Sequence, residues 1–75
     1  MPKLSTLSVG NYIRNPRRGG LRGDGSTHNI LKIVSDEGDS FRCHSLLKRE
    51  SGVDTIDNEN YRFIPKSDNV EQAFP

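Results

Sequence analysis

Tryptophan is absent, cysteine occurs once, and the remaining aromatic residues are two tyrosines and three phenylalanines among 75 positions, of which 31% are hydrophobic. A chain this small buries only about 60% of the surface its unfolded form exposes, so its core must be minimal and burial alone leaves the net stability near zero. The single thiol, Cys43, excludes an internal disulfide as a staple and fits a reducing compartment or indifference to redox. Oligomerisation or membership of a larger assembly is the remaining source of stability. No apolar stretch approaches the roughly 18 residues that span a bilayer, the N-terminal MPKLSTLSV lacks the apolar centre of a signal peptide, and no Asn-x-Ser/Thr sequon occurs. The expectation is one soluble, unprocessed, cytoplasmic domain over residues 1–75 with no membrane association.

Net charge is only +1, yet it is unevenly placed. Residues 1–35 hold six Lys or Arg against Asp24, and residues 36–75 hold five against nine acids, or about +5 and −4. This asymmetry signals either a basic surface for an acidic partner or two halves that attract each other within one fold.

The pattern along the chain is that of short strands. After a loose lead-in over 1–6, Leu7, Val9, Asn11 and Ile13 alternate with Ser8, Gly10, Tyr12 and Arg14, which is period two. Asn15-Pro16 stops the run, because proline cannot donate to a ladder and restricts its predecessor. A polar, glycine-rich loop over 15–29 leads to ILKIVS at 30–35, the most β-branched stretch. Asp36 to Asp39 then form the turn of a hairpin whose second strand, 40–46, directs Phe41 and Cys43 to the core and leaves His44 outside. LKRESG at 47–52 predicts a turn of helix ended by Gly52. Val53–Ile56 and Tyr61–Ile64 bracket Asp57 to Asn60 as a second hairpin, closed by Pro65. Asp68 and Glu71, with Val70, Ala73 and Phe74 at helical spacing, predict a short terminal helical turn in the tail 66–75. The fold class is therefore mainly β: five short strands in a small barrel or curled antiparallel sheet, with a short C-terminal helical turn.

The densest chemistry is RNPRRGGLRGDG at 14–25, with four arginines and four glycines in twelve residues. Guanidinium groups offer planar forks of donors to phosphates and carboxylates, and glycine lets a partner approach the backbone. Arg17-Arg18-Gly19-Gly20 followed by Arg22 has the form of an RGG element that contacts RNA or single strands. A solvated loop and a contact for an acidic protein surface are the alternatives. The candidate partner-binding residues are Arg14, Arg17, Arg18, Gly19, Gly20 and Arg22, with Tyr12 as a stacking platform or a half-buried strand residue. Tyr61 carries the same two readings.

Other motifs carry less. Gly20 to Thr27 grazes a phosphate-binding loop but lacks its lysine, and Arg22-Gly23-Asp24 is a chance triplet. Cys43 and His44 are adjacent on a strand and point to opposite faces, so they cannot share a metal or act as nucleophile and base. Asp36, Glu37 and Asp39 lack a calcium-loop pattern and read as hairpin solvation. No metal, cofactor or catalytic site is expected.

The order Val9-Gly10-Asn11-Tyr12-Ile13, a variable loop, Ile30 to Val34, a tight turn and Phe41 to Cys43 resembles the opening of SH3-like small barrels of the Tudor and KOW type. It is also similar to short bacteriophage and prophage proteins that begin with a VGNYI-like strand and end near a PI-like segment, here Phe63-Ile64-Pro65. A KOW signature is absent, and a Tudor aromatic cage cannot be assembled from Tyr12, Phe41, Tyr61 and Phe63. The resemblance implies a phage-encoded binding module without enzymatic activity or a small-molecule substrate. Such a module docks on a protein complex or nucleic acid and modulates it, in the host cytoplasm. The alternative is a minor structural or assembly subunit whose long loop and tail order against neighbours.

Overall fold

The computed structural model describes residues 1–16 and 29–75. A 3-10 turn, Leu4–Thr6, precedes β1 (Tyr12–Arg14), β2 (Ile30–Asp36), β3 (Ser40–Glu50), β4 (Val53–Pro65) and β5 (Gln72–Ala73). The strands form one open antiparallel sheet in the order β4-β3-β2-β1-β5. The mainly β character and the hairpin of β2 with β3 are as the sequence predicts. Gly38, at φ +95°, turns that hairpin, and the Asp36 carboxylate accepts its N–H at 2.9 Å.

Several local expectations are corrected. Residues 47–52 are not helical: β3 runs on to Glu50, and Ser51 and Gly52, both at positive φ (53° and 80°), make the two-residue turn into β4. Positive φ at both central positions matches the twist of a tight hairpin, so Gly52 is a hairpin residue rather than a helix terminator. Residues 53–65 are one strand, not two. The register steps from His44↔Tyr61 to Ser45↔Asp57, so Asn58, Glu59 and Asn60 are an insertion in β4 where a turn was expected. The C-terminal tail forms no helix. Gln72–Ala73 pairs with Ile13 and Tyr12, and the Arg14 N–H donates to the Glu71 carbonyl at 2.9 Å. Finally, strand β1 is short, because Ser8 to Asn11 form a turn through Gly10, at φ +99°.

Nor is the lead-in loose. Lys3 bridges Asn69, the Leu4 N–H donates to the Asp68 carbonyl at 2.8 Å, and the Ser5 N–H donates to the Lys66 carbonyl at 2.9 Å. These bonds seat Leu4 in a core with Ile13, Leu31, Ile33, Phe41, Cys43, Ile64 and Val70, all nearly inaccessible to water. Phe41 and Cys43 face the core as expected. The opposite face carries the row Tyr12, Lys32, His44 and Tyr61, aligned by register from β1 to β4.

Bulges bend three of the strands: Val34 is extra in β2, Leu47 in β3 and residues 58–60 in β4. Such insertions sharpen bend and twist, and here the far end of the β3–β4 hairpin reaches back to side chains of β1 and β2. No helix among the described residues is long and apolar enough to cross a membrane.

Candidate macromolecule-binding surface

Arg17, Arg18, Gly19, Gly20 and Arg22 lie outside the described residues. β1 ends at Arg14, β2 begins at Ile30, and the two strands are antiparallel neighbours. The Asn15 N–H donates to the Asn29 carbonyl at 2.7 Å, so the ends of the intervening segment are already joined before it begins. Arg14 itself pairs with Glu71 at 3.3 Å while both side chains stay about half exposed. A depression of about 230 Å³ beside this pair is lined in part by Asn15, Pro16 and Val70.

Tyr12 is engaged inside the fold. Its hydroxyl donates to the Asp54 carboxylate, which also accepts from the Lys32 ammonium at 2.8 Å. The Arg49 guanidinium lies 4.9 Å from the Tyr12 ring centre and 4.3 Å from that of Phe74, and the two rings meet edge to face at 5.2 Å. This cluster joins the far end of the β3–β4 hairpin to β1, β2 and the tail. Bonds from Lys32 and Tyr12 hold the Asp54 carboxyl below the ordinary carboxylate value, and the same carboxylate raises Lys32 and Tyr12 above theirs. Arg14–Glu71 and Lys32–Asp54 both join a base of the first half to an acid of the second, so attraction between the two halves accounts for part of the charge asymmetry.

His44 also differs from expectation: it is buried, 4% exposed. Its Nδ1 lies 3.1 Å from the Asp57 carbonyl, and its Nε2 accepts from Arg42 Nε at 3.0 Å. A carbonyl accepts only, so these two bonds select the neutral tautomer with the proton on Nδ1. The ring thus pins the start of the β4 insertion. Across the sheet, Tyr61 stacks on His44 with centroids 5.2 Å apart and planes at 29°, and Phe63 meets Tyr61 edge to face at 5.8 Å. Arg42 lies over Tyr61, 4.2 Å from its centre, and 6.0 Å from Phe63. Tyr61 and Phe63 remain 44% and 53% exposed, whereas Phe41 is in the core and Tyr12 lies in the Asp54 cluster, so the four aromatics do not form one cage. The sequence does not single out Arg42, and it names Phe63 only among the aromatics of a cage that could not be assembled. The available signal was the alternation of Tyr61 and Phe63 with Arg62 and Ile64, which places both rings on one face of β4.

Cys43 is fully buried, and burial pushes its thiol up to about 11. The reactive thiolate is therefore scarce at neutral pH. In the native protein at pH 8 a thiol-specific disulfide reagent should leave Cys43 unmodified, and denaturant should expose it at once; immediate reaction without denaturant would contradict this burial. Asp36 is held below its ordinary value by Lys66 at 2.8 Å and by the Gly38 N–H, and Glu37 accepts from the Ser35 hydroxyl at 2.7 Å. Among the described residues, no group of three His, Cys, Asp or Glu side chains is arranged to hold a metal.

Comparison of the chain with protein-family models, with curated proteins and with solved structures finds no match in any of the three.

Proposed function

We propose that this protein is a small non-enzymatic binding module that docks on an anionic macromolecular surface through Arg14, Arg17, Arg18 and Arg22, and modulates the complex it joins. One observation carries the reading. β1 and β2 are adjacent antiparallel strands, and closing such a pair needs a connection of about two to five residues, yet residues 15–29 lie between them. The surplus holds three of the four arginines and four of the chain's seven glycines, a composition for contact and not for closing a hairpin. In the bacteriophage setting that the sequence resemblance implies, the target is a host or phage machine. We also read the sheet as an SH3-like barrel left open at one seam. The meander from β1 to β4, with β5 returning to β1, is the order of a five-stranded barrel lacking only a β4–β5 pairing.

The test is capture of partners by the tagged protein with and without nuclease, beside the Arg17→Ala/Arg18→Ala/Arg22→Ala variant. The partner should be released by added salt, and the triple variant should lose at least roughly tenfold in affinity while keeping the wild-type far-UV spectrum. Capture that the triple variant retains in full would overturn the reading. Survival of the complex after nuclease identifies a protein target, and its loss identifies nucleic acid.

A further inference from the structure

We propose that Arg42, Tyr61 and Phe63 form a stacking site for unpaired bases of a single-stranded nucleic acid. The proposal deepens the docking reading by naming its partner and rests on it. Tyr61 and Phe63 stand two residues apart on edge strand β4, on the face away from the core, and each residue is about half exposed. Apolar rings in such a position have no role in the core, whose members lie on the other face.

The site is held in place before a ligand arrives. His44, buried and bonded on both ring nitrogens, packs against Tyr61 with the two planes at 29°, and Arg42 is fixed by its Nε bond to His44. Rings that are already immobilised lose little freedom on binding. Charge decides the kind of occupant. The Arg42 guanidinium, 4.2 Å from the Tyr61 ring centre, repels a cationic guest such as a methylated lysine. Among the described residues Arg42 has no ion-pair partner, and its two terminal nitrogens remain available to an anion. An acidic peptide would satisfy Arg42 but leave the two rings without a matching surface. A nucleotide offers both a π-face and a phosphate, the combination on which sequence-tolerant single-strand binding rests.

Fluorescence anisotropy with labelled oligothymidylate, and with an abasic oligonucleotide of equal length, separates the bases from the phosphates. The wild-type protein should bind oligothymidylate roughly tenfold or more tightly than the abasic strand. Tyr61→Ala and Phe63→Ala should each remove most of that preference, and Phe63→Tyr should keep it. Neither ring belongs to the core on the other face, so all three variants should fold, as a cooperative melt and a wild-type far-UV spectrum would verify. Equal affinity for the two strands, or preference retained in both alanine variants, would overturn the proposal. Tighter binding of polyglutamate than of oligothymidylate would also overturn it, as would a self-association that Phe63→Ala abolishes. If oligothymidylate fails to bind while a nuclease-resistant partner is still captured through the arginines, stacking falls and the docking reading stands. If the triple arginine variant also captures that partner fully, both fall.

Discussion

Leu4→Ala should destabilise the protein by about 3 kcal/mol, close to the middle of the range for truncating a fully buried leucine. For a domain of this size that corresponds to a fall in Tm of roughly 15 °C. Leu4 is 0% exposed and belongs to the core cluster that includes Ile13, Ile33 and Val70, and its own N–H is bonded to the Asp68 carbonyl. Truncation leaves a cavity at the point where the N-terminal turn and the C-terminal segment meet the sheet. Val9→Ala is the contrast. Val9 is 50% exposed on a turn, and its loss should cost no more than about 0.5 kcal/mol. Thermal melts of the two variants decide the matter, and equal effects would mean that the N-terminal turn is not part of the core.

Asp54→Ala should cost about 2 kcal/mol, because it removes two charge-assisted bonds in a region where the Asp54 side chain is only 10% exposed. Asp54→Asn reports the same contact through pH. The folded Asp54 carboxyl lies below its unfolded value of 3.8, so in acid the unfolded chain binds more protons than the native one. The stability from this group is complete above about pH 4 and lost as pH falls through the folded value. Tyr12 and Lys32 lie above their unfolded values of 10.0 and 10.5, so their share is complete below about pH 10 and lost as pH rises through the folded values. Melting temperature against pH should therefore decline at both extremes, and Asp54→Asn should flatten both declines. The acid limb should keep a residual slope from Asp36, which Lys66 also holds low. Unchanged limbs in Asp54→Asn would show that the hairpin end is not bound to β1 through this carboxylate.

What the sequence made legible follows from how local each signal is. Ile30 to Val34 and Phe41 to Cys43 alternate over enough residues for period two to declare which face is buried, and the short acidic turn between them is closed by its own Asp36 and Gly38. β5 has two residues and cannot show a period, so Val70 and Ala73 suggested a helix although Val70 is held by a bond from its N–H to the Pro2 carbonyl. Such a bond joins the chain's two ends and leaves no local trace. Asp57 to Asn60 have turn composition because a bulge, like a turn, frees residues from the ladder: the Asp57 carboxylate accepts the Glu59 N–H at 3.0 Å. Gly52 satisfies a tight hairpin as readily as a helix end, and the pairing of Glu50 with Val53 and of Arg49 with Asp54 distinguishes them. Of the candidate site, Arg14 and Tyr12 could be read from strand alternation. Tyr61 was legible as a stacking platform and alternation puts Phe63 on its face, but that Arg42 joins them depends on the register between β3 and β4.

The central claim is that the arginines between β1 and β2 make the contact with an anionic partner. It is tested most directly by measuring affinity for a generic polyanion, short heparin chains, across a salt series for the wild type and the Arg17→Ala/Arg18→Ala/Arg22→Ala variant. Each guanidinium that neutralises an anionic group releases counterions and steepens the dependence on salt. The account predicts a steep decline for the wild type and a weaker, clearly shallower line for the variant. Identical affinities and slopes would contradict it.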